Sequence, residues 1–164
     1  MKYIIQINQI YIKLLVFLYI KKMKGMKKMI INGKEIENKS EMIELIKSGV
    51  NVLAFIKVDS DIDLISASIT IKGEDEDPFY EESAEMILKA IIYYVMNIEG
   101  EEKTLSRCKE IAKQGYENED GVNILKNILE KEIHSKSLYV FMDIATEKSQ
   151  KLIMETLKDR LSSI

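Results

Sequence analysis

The sequence predicts a mainly α fold: a helical bundle of five or six helices behind a small extended or β N-terminal part. Three observations carry this expectation. Apolar residues recur at three- and four-residue spacing through the second half of the chain, the period of a helix with a buried face. Residues able to accept a backbone N–H stand just ahead of those runs, at Asn38, Ser60, Asp77, Thr104 and Thr146. Residues 75–100, DEDPFYEESAEMILKAIIYYVMNIEG, hold an apolar run too broad for a one-sided helix, so the other helices are expected to surround it.

Composition sets the outer limits. The chain has 164 residues, of which 46% are hydrophobic, enough for one packed domain or one domain with a tail. The single cysteine, Cys108, rules out an internal disulfide, and without a Cys-x-x-Cys pair a structural zinc is not expected. One proline and seven glycines exclude a linker or low-complexity protein.

Charge is unevenly placed. Residues 1–31 carry seven lysines (Lys2, Lys13, Lys21, Lys22, Lys24, Lys27 and Lys28) and no acid, while the remainder carries 17 basic and 27 acidic residues. The body is therefore a poor partner for nucleic acid, since phosphate affinity comes largely from lysine and arginine. Residues 1–30 form a basic, apolar leader, expected to be either solvated and disordered or seated at a membrane surface. Within it, residues 3–20 are interrupted by Gln6, Asn8, Gln9 and Lys13, whereas a spanning helix wants about 20 mostly apolar residues. No small-residue cleavage site follows, so it does not read as a signal peptide. Met26 or Met29 would serve as alternative starts.

Residues 31–58 are expected to form a short strand-helix-strand segment. Asn32-Gly33 signals a hairpin or tight turn. Asn38 with Glu41 three residues on is a capping-box pattern, and Met42, Ile43, Leu45 and Ile46 supply an apolar face that Gly49 ends. Residues 50–58 read as a short buried strand or extended segment. Residues 59–164 are expected to be an all-α domain. Ser60 with Asp63 begins its first helix.

In the central helix Asp77 is the expected N-cap, Pro78 sits where a missing N–H costs nothing, and Glu81, Glu82 and Glu85 follow at the positive end of the dipole. Gly100 is its expected C-cap. Thr104 caps the next helix, which buries Leu105, Cys108, Ile111 and Ala112 and stops at Gly115. Val122, Ile124, Leu125, Ile128 and Leu129 build another, reaching toward Ile133. Residues 138–142, LYVFM, fit a strand or a buried helical turn equally well. Thr146 caps a last helix with Leu152, Ile153, Leu157, Leu161 and Ile164 inward.

No catalytic constellation, metal site or cofactor site emerges, so the site residues are none and the chain is not expected to be an enzyme. No glycine completes a P-loop, for Gly33-Lys34 is followed by Glu35 rather than a hydroxyl residue. Leu138 to Asp143 imitates an apolar strand ending in a magnesium-binding acid, but without a P-loop it has no phosphate to serve. His134 is the one histidine, expected as a cap or surface residue. Cys108 reads as a small buried hydrophobe. Glu74, Asp75, Glu76 and Asp77 lack the alternating ligands and placed glycine of an EF-hand loop, so they read as a solvated cap. Tyr93 and Tyr94 read as core and rim.

Four stretches occur in a telling order. They are Val52-Leu53-Ala54-Phe55-Ile56 followed by Ser60-Asp61; Asp77-Pro78-Phe79-Tyr80 with Ala84-Glu85 and the long helix; Glu102-Lys103-Thr104-Leu105; and Ala145-Thr146-Glu147-Lys148-Ser149 followed by Leu157, Arg160 and Leu161. From about Leu53 onward the chain thereby resembles the TraG/TraD type of coupling protein in conjugative type IV secretion. These are ATPases that bring a relaxase–DNA complex to the transfer channel. The resembling part is the family's all-α domain, implicated in contacting the relaxosome. Asn32-Gly33-Lys34-Glu35 resembles the family's "DPKGE" without its Asp-Pro.

The resemblance implies a truncated or standalone all-α domain, since the family's P-loop and magnesium-binding acid strand have no counterpart here. It also implies a relaxase or relaxosome accessory protein as partner. The implied location is cytoplasmic, at the cytoplasmic face of the cell membrane if the leader engages lipid. Two alternatives stand beside it: an ATPase fragment that needs a partner chain with the P-loop, and a non-functional remnant of a mobile element.

Overall fold

The computed structural model describes residues 28–70 and 77–164. Among the described residues the fold is mainly α, with seven α-helices and one two-stranded antiparallel sheet. None of these helices is long and apolar enough to cross a membrane. The basic leader through residue 27 and the acids Glu74, Asp75 and Glu76 lie outside the described residues.

The chain enters as a hairpin. Strands β1 (Met29–Ile31) and β2 (Lys34–Ile36) pair with Met29 opposite Ile36 and Ile31 opposite Lys34. Asn32 and Gly33 both take positive φ, as the tight type I′ turn demands. The period of two sends Met29, Ile31 and Ile36 inward. Helix α1 (Lys39–Lys47) starts as expected, with Asn38 Oδ1 accepting the Glu41 N–H at 2.9 Å. It ends in a Schellman motif. The Gly49 N–H bonds Ile46 O and the Val50 N–H bonds Leu45 O, with Gly49 at φ +84°.

Residues 50–58 are not a strand. Val52–Phe55 make a 3-10 turn that buries Val52 and Leu53. The two-stranded sheet gives this segment no ladder partner, so its backbone groups close on themselves. Helix α2 (Asp59–Ile69) also starts differently from the sequence reading. Its N-cap position is Val58, which has no side-chain oxygen. The Asp61 carboxylate does the capping instead, accepting the Lys57 and Val58 N–H groups at 2.8 and 3.1 Å.

Helix α3 (Pro78–Asn97) is the central post. Asp77 Oδ1 accepts the Phe79 N–H at 3.0 Å, and Pro78 sits in the first turn. From Ser83 to Val95 only Glu85 and Tyr93 escape full burial. The helix packs against α2 and against four later helices: α4 (Leu105–Tyr116), α5 (Gly121–Leu129), α6 (Ile133–Tyr139) and α7 (Glu147–Ser162). Its C-cap is Ile98 in an extended conformation, and Gly100 follows two residues later at φ +86°. Gly100 is thus a turn residue rather than the cap.

Thr104 and Thr146 cap α4 and α7 as their sequences predict, accepting the Arg107 and Ser149 N–H groups. Gly115 does not end α4. The helix runs through it to Tyr116, and the glycine supplies space, because a Cβ there would strike Met154 and Leu125. Helix α5 stops at Leu129 rather than reaching Ile133, and α6 starts afresh from Glu132. Residues 138–142 resolve as the end of α6 followed by a 3-10 turn, Val140–Asp143, with Phe141 and Met142 buried.

One hydrophobic core runs from Met29 and Ile31 through Ile87, Ile91 and Leu125 to Leu157 and Leu161. The expected boundary at residue 59 coincides with the start of α2 and leaves this core uninterrupted.

Candidate functional site

Charged side chains inside an apolar bundle are the first places to look for chemistry, because burial without a partner is costly. Lys89 sits on α3 with no exposed side-chain surface. Its Nζ lies 2.9 Å from Asp63 Oδ1 on α2 and 3.1 Å from Glu85 Oε1 one turn back. Glu81, also on α3, is buried and receives the Arg160 guanidinium of α7 in a fork: Nε reaches Oε2 at 3.1 Å and Nη2 reaches Oε1. Glu81 therefore ties two helices together rather than facing solvent at the dipole end. Both constellations sit between helices, where they fix register.

A second polar group surrounds the C-terminal end of α3. Arg107 donates through Nε to Glu101 Oε2 at 2.6 Å and through Nη1 to Glu110 Oε2 at 3.0 Å. The Tyr94 hydroxyl donates to Glu101 Oε1 at 3.2 Å. The Arg107 hydrogen bond holds the Glu101 carboxyl below its ordinary range, while burial and the bond to Glu101 push the Tyr94 phenol up. A cleft of about 610 Å³ opens beside them, with Lys131 on its rim and Ile111 and Ile128 on its walls. Its two acids and two bases cancel, so it selects no ligand charge.

A third group fastens α6 to α3. Glu132 caps α6 by accepting the Ser135 N–H at 2.7 Å. Ser135 Oγ lies 2.7 Å from the Ala90 carbonyl and 2.8 Å from Glu132 Oε2, so its proton is shared between them. Asn97 donates to Glu132 Oε1, and His134 Nδ1 sits 2.9 Å from the same oxygen. Burial pushes the Glu132 carboxyl up, but hydrogen bonds from His134 and Ser135 outweigh it and hold it at about 2. The His134 ring stacks on Tyr93 at 5.2 Å. Serine, histidine and a carboxylate are thus close, yet the serine bonds the carboxylate and not the imidazole. That is a helix anchor and not a nucleophile with its base.

A groove of about 750 Å³ lies between the α4–α5 turn and α7. Glu119, Asp120, Asp143, Glu147 and Glu155 line it, with Lys151 as the one cation among its lining residues.

No family model, curated protein or solved structure matches the chain.

Asp143 ends a 3-10 turn and pairs with Lys126 at 2.7 Å. Among the described residues, no three His, Cys, Asp or Glu side chains stand together as a metal site would require. Cys108 is fully buried, and burial pushes its thiol up to about 12, so it is an inert core residue. His134 is on the surface at the start of α6, Tyr94 is buried and Tyr93 half-buried. Lys34 belongs to the hairpin and pairs with Glu41 at 3.4 Å. The sequence reading missed Lys89 and the Glu81–Arg160 pair. Glu85 four residues before Lys89 was a usable signal, while nothing local connects positions 81 and 160.

Proposed function

We propose that this chain is a non-catalytic, all-α docking domain of the conjugative coupling-protein type, and that it receives a relaxase or a relaxosome accessory protein. The observation that carries the reading is the arrangement of the resembling stretches in the fold. Three of them are helix starts: Asp77-Pro78 opens α3, Thr104 opens α4 and Thr146 opens α7. These three helices pack on one another. The second and last stretches also meet through Glu81, on the long helix, and Arg160, although 79 positions separate these two residues. Segments that contact one another in the fold are those expected to persist together in a domain with one purpose. The acidic balance outside the leader favours a protein partner over a phosphate backbone.

The test is a pull-down with the purified full chain against the relaxase and accessory proteins encoded beside it, with ATP turnover measured in the same mixtures. Binding of at least one such protein, with turnover at background, is expected. Loss of all binding sinks the reading. Turnover that arises only when a P-loop protein is added would replace it with a split ATPase.

A further inference from the structure

Helix α6 and the 3-10 turn after it leave one apolar line facing water. Ile133 is 74% exposed, Val140 56% and Ile144 37%. Ile133 and Val140, seven residues apart, lie on one side of the helix with exposed Ser137 between them, and Ile144 follows at the end of the 3-10 turn. A single exposed aliphatic residue is ordinary, but an aligned set marks a contact surface. This line also has a charged neighbour. Val140 and Asp143 share a small dimple with Lys136 and Tyr139, and Asp143 in turn lines the acidic groove. Apolar line and groove are therefore one continuous surface. Glu119, Glu147 and Glu155 stand in the groove without an ion-pair partner among the described residues.

We propose that this surface docks a basic amphipathic segment of a partner protein. An apolar edge of the segment lies along Ile133, Val140 and Ile144, and its lysines or arginines reach Glu119, Glu147 and Glu155. Charge decides the occupant. With Asp143 already held by Lys126, the groove still sets four acids against one lysine and repels an acidic segment and any phosphate-bearing partner. An apolar edge flanked by acids suits the helix-in-groove mode, in which the docking segment's own apolar residues recur at one-turn intervals. This inference rests on the docking reading and names the face and the partner chemistry it uses.

The experiment measures fluorescence anisotropy of the full chain with three labelled peptides of about 18 residues, some five helical turns. One is an amphipathic leucine–lysine helix, one its leucine–glutamate counterpart, and one a scramble of the first that has no apolar face. Only the first is expected to bind. Val140→Asp should weaken it about tenfold, the effect of losing one well-packed anchor. Glu147→Lys with Glu155→Lys should weaken it similarly and flatten its salt dependence. Glu44→Lys, an exposed acid on α1, should leave it unchanged. Equal binding of the scramble, or equal loss with Glu44→Lys, would mean net charge alone and would overturn the proposal. A fourth labelled peptide, of residues 1–27, is compared with them, and tighter binding of it would overturn the proposal in favour of the chain's own leader. Relaxosome binding that survives Val140→Asp would sink the face and spare the docking reading. Peptide binding without any relaxosome partner would do the reverse.

Discussion

Arg160 is the residue whose loss the fold should feel most sharply for its size. It is partly exposed, but the Glu81 carboxylate it forks onto is buried at the α3–α7 contact. Arg160→Ala removes that fork and should cost toward the lower end of about 3–5 kcal/mol, read as a lowered urea midpoint. Lys89→Met should cost less, because the charge it removes is the buried one, a straight apolar chain fills its space, and the Asp63 and Glu85 carboxylates left behind both reach water. Glu132 sets the acid limb of stability. Its folded carboxyl, at about 2, lies below the ordinary 4.5, so its contribution is present above 4.5 and is lost as pH falls toward 2. Urea midpoints should therefore drop across that window, by no more than about 3 kcal/mol from this group. Glu132→Gln should start lower and lose less of its stability across the same window.

Among the elements, the boundaries set by side-chain caps were legible in the sequence. Asn38, Asp77, Thr104 and Thr146 each carry an oxygen within three residues of the N–H it serves. Boundaries that depend on the rest of the molecule were not legible. Residues 50–58 have the apolar content of a strand, but whether they become one depends on a neighbouring strand that the fold does not supply. Gly115 reads as a stop because glycine often ends helices, yet its role is to let α5 and α7 approach α4. Gly115→Ala should be near neutral. The Met154 methyl it would strike lies at the end of a flexible chain, Leu125 need give only a few tenths of an ångström, and alanine gains about 1 kcal/mol in helix propensity, which offsets the repacking. Gly121→Ala would instead press on the Gly115 carbonyl, which is backbone, and should cost about 1–3 kcal/mol. Paired thermal melts would show the difference, and equal costs would mean that the α4–α5 turn yields to the added methyl.

Across the whole molecule a single core depends on α3. Ile91 lies at its middle with no exposed surface. Ile91→Asp should cost several kcal/mol and abolish a cooperative melt followed by circular dichroism. The mainly α class was legible because helical periodicity is local information. The candidate surface was not. Ile133, Val140 and Ile144 look like core residues in the sequence, and only the placement of α6 against α3 turns them outward. The acids of the groove come from the α4–α5 turn, the 3-10 turn and α7, which no local pattern joins.

The Glu81–Arg160 fork has a last consequence, and it concerns time. During synthesis α3 leaves the ribosome well before α7, so Glu81 and the flank of α3 that α7 will cover must wait in water. A nascent chain halted at residue 145 should accordingly be protease-sensitive and prone to associate, while one that has released α7 should resist digestion. For this protein the order in which helices emerge sets a vulnerable interval, and its length is the sequence between the two ends of one ion pair.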